Sequence, residues 1–251
     1  MSSIEADKQD KIGFVFIHGA GLESRIWEQV VTGLESPYLL VNFPQSHGEK
    51  KGRQGLSLYD YTAHINRQIQ AWNVQKFIIV AHSLGGILAL KVAEDLSDRL
   101  VGLVAIGAMI PRGGGSFLSV LPFAKRTLMR VILRMFGTQP PESAIRKGLC
   151  NDLSPEQAAE IVRCFVPESA RVYTDRIGAP TPQVPKLYLK LTNDRELTLS
   201  VQDKMIANLA PQHVEMLETG HLPMLSKPDE LRRALMMFLS QLDGNIPGIR
   251  G

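Results

Sequence analysis

Apolar residues along the chain fall in short unbroken runs, separated by longer stretches with helical spacing. Ile12 to Ile17, Tyr38 to Asn42, Phe77 to Val80 and Leu100 to Ile106 are such runs, each of a length that suits a buried strand. Between them, Glu23 to Leu34 and Leu84 to Leu96 read as helices. Leu58 to Trp72 places Leu58, Tyr61, Ile65, Ile69 and Trp72 on one helical face. Strands apolar on both faces, alternating with helices, predict a parallel sheet covered on both sides.

The alternation breaks at Gly113-Gly114-Gly115. From there to about Pro185 no apolar strand appears, while helix signals do. Ser154-Pro155-Glu156-Gln157 pairs a serine cap with proline in the first helical position. We expect a helical cap insertion at about 112–183. The strand–helix rhythm then resumes: Lys186 to Leu191 strand, Val201 to Ala207 helix, Val214 to Leu217 strand, Asp229 to Leu242 helix. The expected fold class is α/β, a mostly parallel sheet flanked by helices with a helical cap, and the whole of 1–251 as one domain. At 251 residues the chain buries a substantial core.

Composition narrows the function classes. Hydrophobic residues make up 44% and charged residues 21%, as in ordinary globular proteins. The longest apolar run, Leu100 to Ile110, falls well short of the roughly 20 residues of a membrane-spanning helix. Met1 to Asp7 has no apolar signal-peptide core, so a cytoplasmic protein is expected. Cys150 and Cys164 are not at a metal-ligand spacing and read as reduced. A net charge of +3 is too small to imply nucleic acid, but it is uneven: between Arg112 and Lys147 seven basic residues face one acid, Glu142.

The sharpest chemical signal is Ala81-His82-Ser83-Leu84-Gly85-Gly86, where a buried strand runs through a small-X-Ser-X-Gly turn into a helix. Such a turn strains the serine backbone and exposes its hydroxyl at the strand's end. Small residues two before and two after keep the turn free of collision. Ser83 is therefore the candidate nucleophile. Six histidines compete as its base: His18, His47, His64, His82, His213 and His221. His221 stands in a loop between the last strand and the last helix, at the sheet edge from which a base reaches the serine. An acid must orient that imidazole. Asp194 stands in the turn after the next-to-last strand, giving the order Ser, Asp, His, with Glu196 and Asp203 as rivals. Donors for an oxyanion are expected from the N–H groups of Leu84 and of Ala20, which follows the first strand in His18-Gly19-Ala20-Gly21.

His18-Gly19-Ala20-Gly21, Ala81 to Gly86, Thr192-Asn193-Asp194-Arg195 and Gly220-His221-Leu222-Pro223 together resemble the α/β-hydrolase superfamily. Within it the chain resembles the small-esterase branch that includes plant methyl esterases and hydroxynitrile lyases. The resemblance covers about 10–110 and 185–240. It implies a triad of Ser83, Asp194 and His221 with oxyanion donors Ala20 and Leu84. There are departures. Asn42-Phe43-Pro44-Gln45-Ser46-His47-Gly48 replaces the usual Asp-X-Pro-Gly-His-Gly. Ala20 and Leu222 stand where the lyases of this branch carry Thr and Lys, which argues against lyase chemistry. Ser83 argues against dehalogenases and epoxide hydrolases with an Asp nucleophile.

The expected function is hydrolysis of a carboxylic ester, or related acyl bond, of a small or lipid-like molecule through an acyl-enzyme. No metal or organic cofactor is expected. The alternatives are a hydrolase-fold ligand-binding protein with little turnover, or a thioesterase, lactonase, acyltransferase or perhydrolase with the same triad. Arg126, Arg130 and Arg134 recur every four residues and form one charged stripe of a cap helix. Its apolar residues are expected to pack on the core and line the acyl side of the pocket, through Phe123 and Leu128 with Leu222 nearby. Contact of this helix with a membrane surface is the second reading.

Overall fold

The apolar runs become the six strands of one sheet: β1 (Gly13–Ile17), β2 (Tyr38–Leu40), β3 (Phe77–His82), β4 (Leu100–Ile106), β5 (Lys186–Leu191) and β6 (His213–Leu217). In this computed structural model the described residues are 11–44, 53 and 55–243. Met1 to Asp7, and Gln45 to Gly48 with the candidate His47, lie outside them. The strand order is β2-β1-β3-β4-β5-β6, and every neighbouring pair is parallel.

Strand alternation divides the core in two. Phe14, Phe16, Ile78, Val80, Val104 and Ile106 face a cluster that includes Trp27 and Leu235. Val15, Ile17, Ile79, Ala81, Leu103 and Ala105 face the other way, toward Ile65 and Leu88. Helix α1 (Glu28–Val31) and the closing helix α10 (Pro228–Asp243) cover the first face; α2 (Leu58–Ala71) and α3 (Gly85–Asp95) cover the second. The sequence reading of Glu23 to Leu34 as one helix needs a correction: it is a 3-10 turn, Ser24–Trp27, running into the short α1. α2 begins with a full capping box, in which Ser57 Oγ accepts from Asp60 N–H and Asp60 accepts from Ser57 N–H.

Between β4 and β5 lie a 3-10 turn (Phe117–Val120) and the helices α4 (Phe123–Phe136), α5 (Glu142–Lys147), α6 (Pro155–Cys164) and α7 (Arg171–Thr174). As expected, α6 starts at Pro155 with Ser154 as its cap. α8 (Leu199–Leu209) and α9 (Pro223–Ser226) complete the chain. One expectation fails here: no residue of α4 is buried. Phe123 is 74% and Leu128 61% exposed, so neither packs on the core nor lines an interior pocket. Helical periodicity shows that a helix has an apolar face; it does not show that a partner surface covers it. Cys150 and Cys164 are both free thiols. Among the described residues no helix is long and apolar enough to cross a membrane.

Candidate active site

In a parallel sheet the loops leaving two neighbouring strands diverge where the chain order reverses, and that crevice is where open α/β sheets bind ligands. Here the reversal lies between β1 and β3, because β1 leads outward to β2 while β3 leads the other way to β4. The turns leaving these two strands are His18-Gly19-Ala20 and His82-Ser83-Leu84.

Ser83 adopts φ +51, a left-handed conformation that a non-glycine residue accepts only where its surroundings impose it. They do so through three backbone hydrogen bonds. Ser83 N–H donates to Ile106 O at 3.2 Å, and Ser83 O accepts from Gly86 N–H at 3.1 Å and Met109 N–H at 2.9 Å. The turn also needs its glycine. A Cβ on Gly85 would stand 2.7 Å from Ile17 O and 2.8 Å from His18 O, both backbone atoms unable to swing aside. A Cβ on Gly19 would meet Ser83 Cβ at 2.9 Å, so the β1 turn lies directly against the serine. Leu84 caps α3, so the positive end of the helix dipole lies at this turn. The N–H groups of Ala20 and Leu84 are not among the donors to the backbone acceptors of these turns.

His221 and Asp194 reach this point from the far side of the sheet. His221 Nε2 lies 3.0 Å from Ser83 Oγ, and His221 Nδ1 lies 2.7 Å from Asp194 Oδ2. Asp194 Oδ1 accepts from the N–H groups of Glu196 at 2.8 Å and Leu197 at 3.0 Å, which fixes the carboxylate plane. The imidazole is almost wholly buried, and burial alone lowers its pKa. The Asp194 carboxylate, by charge and by hydrogen bond, more than offsets this, with Glu196 and Asp152 adding to it. The net shift is upward from 6.5. Neither rival acid bonds the imidazole: Asp203 pairs with Lys190 Nζ at 2.5 Å, and Glu196 acts on His221 through its charge while its backbone N–H holds Asp194.

Several residues escaped the sequence reading. His82, set aside as a base, is fully buried and its Nε2 lies 2.8 Å from His221 O, so it props the backbone of that histidine. Burial, with the charges of His221 and His18, holds its pKa well below 6.5. His18 is likewise buried, with its pKa lowered by desolvation to about 4. Asp152, from the segment between α5 and α6, accepts from Gly220 N–H at 2.5 Å, while Asn151 Nδ2 donates to Asn193 O at 3.0 Å. One turn of the insertion therefore ties down both the Asp194 loop and the His221 loop. Glu168 lies buried between Arg53 Nη1 (2.9 Å), Tyr61 OH (2.7 Å) and Gly21 N–H (3.3 Å), anchoring the β1 turn. These contacts span from 42 to 147 residues of chain, and no spacing rule encodes them. Leu222, expected at the pocket, is fully buried within the core cluster that holds Met224 and Leu231. A cavity of about 400 Å³ opens beside Gly21, lined also by Leu22, Ile26, Ile161 and Cys164.

Comparison with known proteins agrees with this geometry. Residues 14–234 match the alpha/beta hydrolase family. Methylesterase 17 of Arabidopsis thaliana is 26% identical over 239 residues, covering 86% of this chain and 87% of that protein. The pyrethroid hydrolase of Sphingobium wenxiniae is 26% identical over 246 residues, covering 89% and 86%. Among solved structures, an extracellular alpha/beta-hydrolase from a Paenibacillus species superposes with a TM-score of 0.80. It is 18% identical, covers 90% of this chain and 98% of its own, and is described as sharing structural and functional homology with tobacco salicylic acid binding protein 2. A methylesterase from Arabidopsis superposes with a TM-score of 0.74 at 19% identity, covering 92% and 99%. The family match spans most of the chain, and the sheet order and the strained serine turn agree with it: the chain belongs to the alpha/beta hydrolase family.

Proposed function

We propose that the protein hydrolyses the ester of a small carboxylic acid through an acyl-enzyme on Ser83. The observation that carries this reading is the unbroken line of hydrogen bonds from Ser83 Oγ to His221 Nε2 to Asp194 Oδ2, at 3.0 and 2.7 Å, beside two backbone turns. An ionised Asp194 has no proton to give, so His221 Nδ1 carries the hydrogen and donates it, leaving Nε2 free to accept from the serine. As Ser83 Oγ attacks the acyl carbon, its proton passes to His221 Nε2 and the carbonyl oxygen becomes an oxyanion. The N–H groups of Ala20 and Leu84 are the donors we assign to that oxyanion, a role whose loss costs about 3–4 kcal/mol per donor in other hydrolases. Collapse of the tetrahedral species breaks the ester C–O bond, and the alcohol leaves with the proton from His221. Water then gives a proton to His221 as it attacks the acyl carbon, and the second collapse frees the acid and restores Ser83.

We read the segment at about 112–183 as a cap within a single domain, since Asn151, Asp152 and Glu168 hold loops of the sheet rather than a core of their own. The relatives named methylesterase and pyrethroid hydrolase support an ester, and the former a methyl ester, as the bond cleaved. The test is initial rates on a panel of esters that varies acyl length and alcohol separately. Preference for methyl over longer alcohols supports the proposal. Faster cleavage of thioesters or lactones than of any ester in the panel refutes it.

A further inference from the structure

Helix α4 is a defined unit of 14 residues, opened by Pro122 and closed at Gly137, whose φ is +74. At 100° per residue Arg126, Arg130 and Arg134 share one arc with Thr127. Val131, Met135, Leu128, Ile132, Phe136 and Met129 occupy the broad opposite arc, with Lys125 among them, while Phe123 lies among the arginines. A soluble domain ordinarily turns such an arc inward. Here only Arg126 and Leu133 are half-buried and mark the seam with the body, where α4 packs on the Phe117–Val120 turn. The apolar arc faces outward, with Met135 69% and Phe136 73% exposed. Contiguous exposed apolar surface of this kind on a monomer marks an interaction site.

Charge decides what covers it. No Asp or Glu occurs from 113 to 141. Among the described residues Arg126, Arg130, Arg134 and Lys125 join no ion pair, although Arg126 lies over the Phe123 ring. A cavity of about 450 Å³ just before the helix, reaching Val120, adds Arg112, Arg176 and Lys204 around Gly113 to Gly115, with no carboxylate in its lining. A second copy docked through α4 would bring these cations against the same cations. An anionic lipid surface would receive the apolar arc in its acyl boundary and the cations among its headgroups. A basic stripe opposite a Phe, Leu and Met face is the signature of an interfacial helix.

We propose that α4 docks the protein on an anionic lipid surface, with its apolar arc inserted and its arginines at headgroup level. The test is co-sedimentation of the full chain with vesicles of phosphatidylcholine containing phosphatidylglycerol, and with vesicles of phosphatidylcholine alone, at low and high salt. The protein should partition to the anionic vesicles only, and less at high salt. Each basic residue at such a surface is worth about fivefold in partition, so Arg130→Glu/Arg134→Glu should lower binding by at least about twentyfold. Leu128→Asp/Met135→Asp should abolish insertion while the positive charges stay. Leu128, Arg130, Arg134 and Met135 are all exposed, so both variants should keep the wild-type unfolding midpoint and the wild-type rate on a soluble ester. The proposal is overturned if the wild type ignores anionic vesicles, or if either variant binds as the wild type does. It is equally overturned if the protein is a dimer that Leu128→Asp/Met135→Asp converts to monomer, since a second copy then covers the arc.

Discussion

Asp194→Asn is the substitution for which the structure dictates the outcome in most detail. The carboxylate uses one oxygen for two backbone N–H groups and the other for His221 Nδ1. In the variant the amide oxygen must stay with the two N–H donors, because an NH₂ group facing them would leave three donors without an acceptor. The NH₂ group then points at His221 Nδ1, which becomes an acceptor, and the ring hydrogen moves to Nε2. That tautomer cannot take the serine proton. The lost charge matters as well. At about 4 Å and an effective dielectric constant of about 20, the carboxylate stabilises the imidazolium by about 4 kcal/mol, close to 10³ in rate. Together with the wrong tautomer, the loss should approach the 10⁴-fold in kcat known for the equivalent change in serine proteases. The assay is steady-state hydrolysis of an activated ester by Asp194→Asn and by Glu196→Gln, each checked for wild-type unfolding. A loss under tenfold in Asp194→Asn, or a larger loss in Glu196→Gln, refutes the assignment of the acid.

Two further predictions concern pH. As the proposed base His221 must be neutral, and its pKa is raised, so the acid limb of kcat/KM should have its midpoint above 6.5; in Asp194→Asn only the charges of Glu196 and Asp152 still oppose burial, and the midpoint should move down. A wild-type midpoint below 6.5 contradicts this. His18 acts on stability instead. Its folded pKa of about 4 lies below the ordinary 6.5, so the unfolded chain takes up the proton first as pH falls, and stability present above 6.5 is lost toward pH 4. The loss should be about 3 kcal/mol. Urea unfolding at pH 7 and pH 4 should show a loss smaller by about 3 kcal/mol in His18→Asn than in the wild type, since buried His82 still contributes in both; equal pH dependence in both would exclude His18 as a source.

The parts of this molecule legible in its sequence are those set by local periodicity. Leu100 to Ile106 forms a strand over those very residues, and the Leu58 helix ends within a residue of its expected limit, because a buried strand and an amphipathic helix each leave their own period in the chain. The serine turn was legible because its geometry demands small residues at fixed offsets. What stayed hidden depends on surfaces meeting across the fold. Helix α4 carries the apolar pattern of a packed helix, yet among the described residues Phe123 and Leu128 stay mostly exposed. Asp152 and Glu168 are ordinary acids in the sequence, and only the folded chain brings them to Gly220 and Gly21.

In the proposed mechanism the strained turn, His221 and Asp194 make Ser83 a nucleophile. Labelling with a fluorophosphonate tests it most directly, since an unactivated serine does not displace fluoride. Intact mass and peptide mapping should find one phosphonyl adduct, on Ser83, and none on a folded Ser83→Ala protein. An unlabelled wild type, or an adduct that persists in Ser83→Ala, would contradict the account.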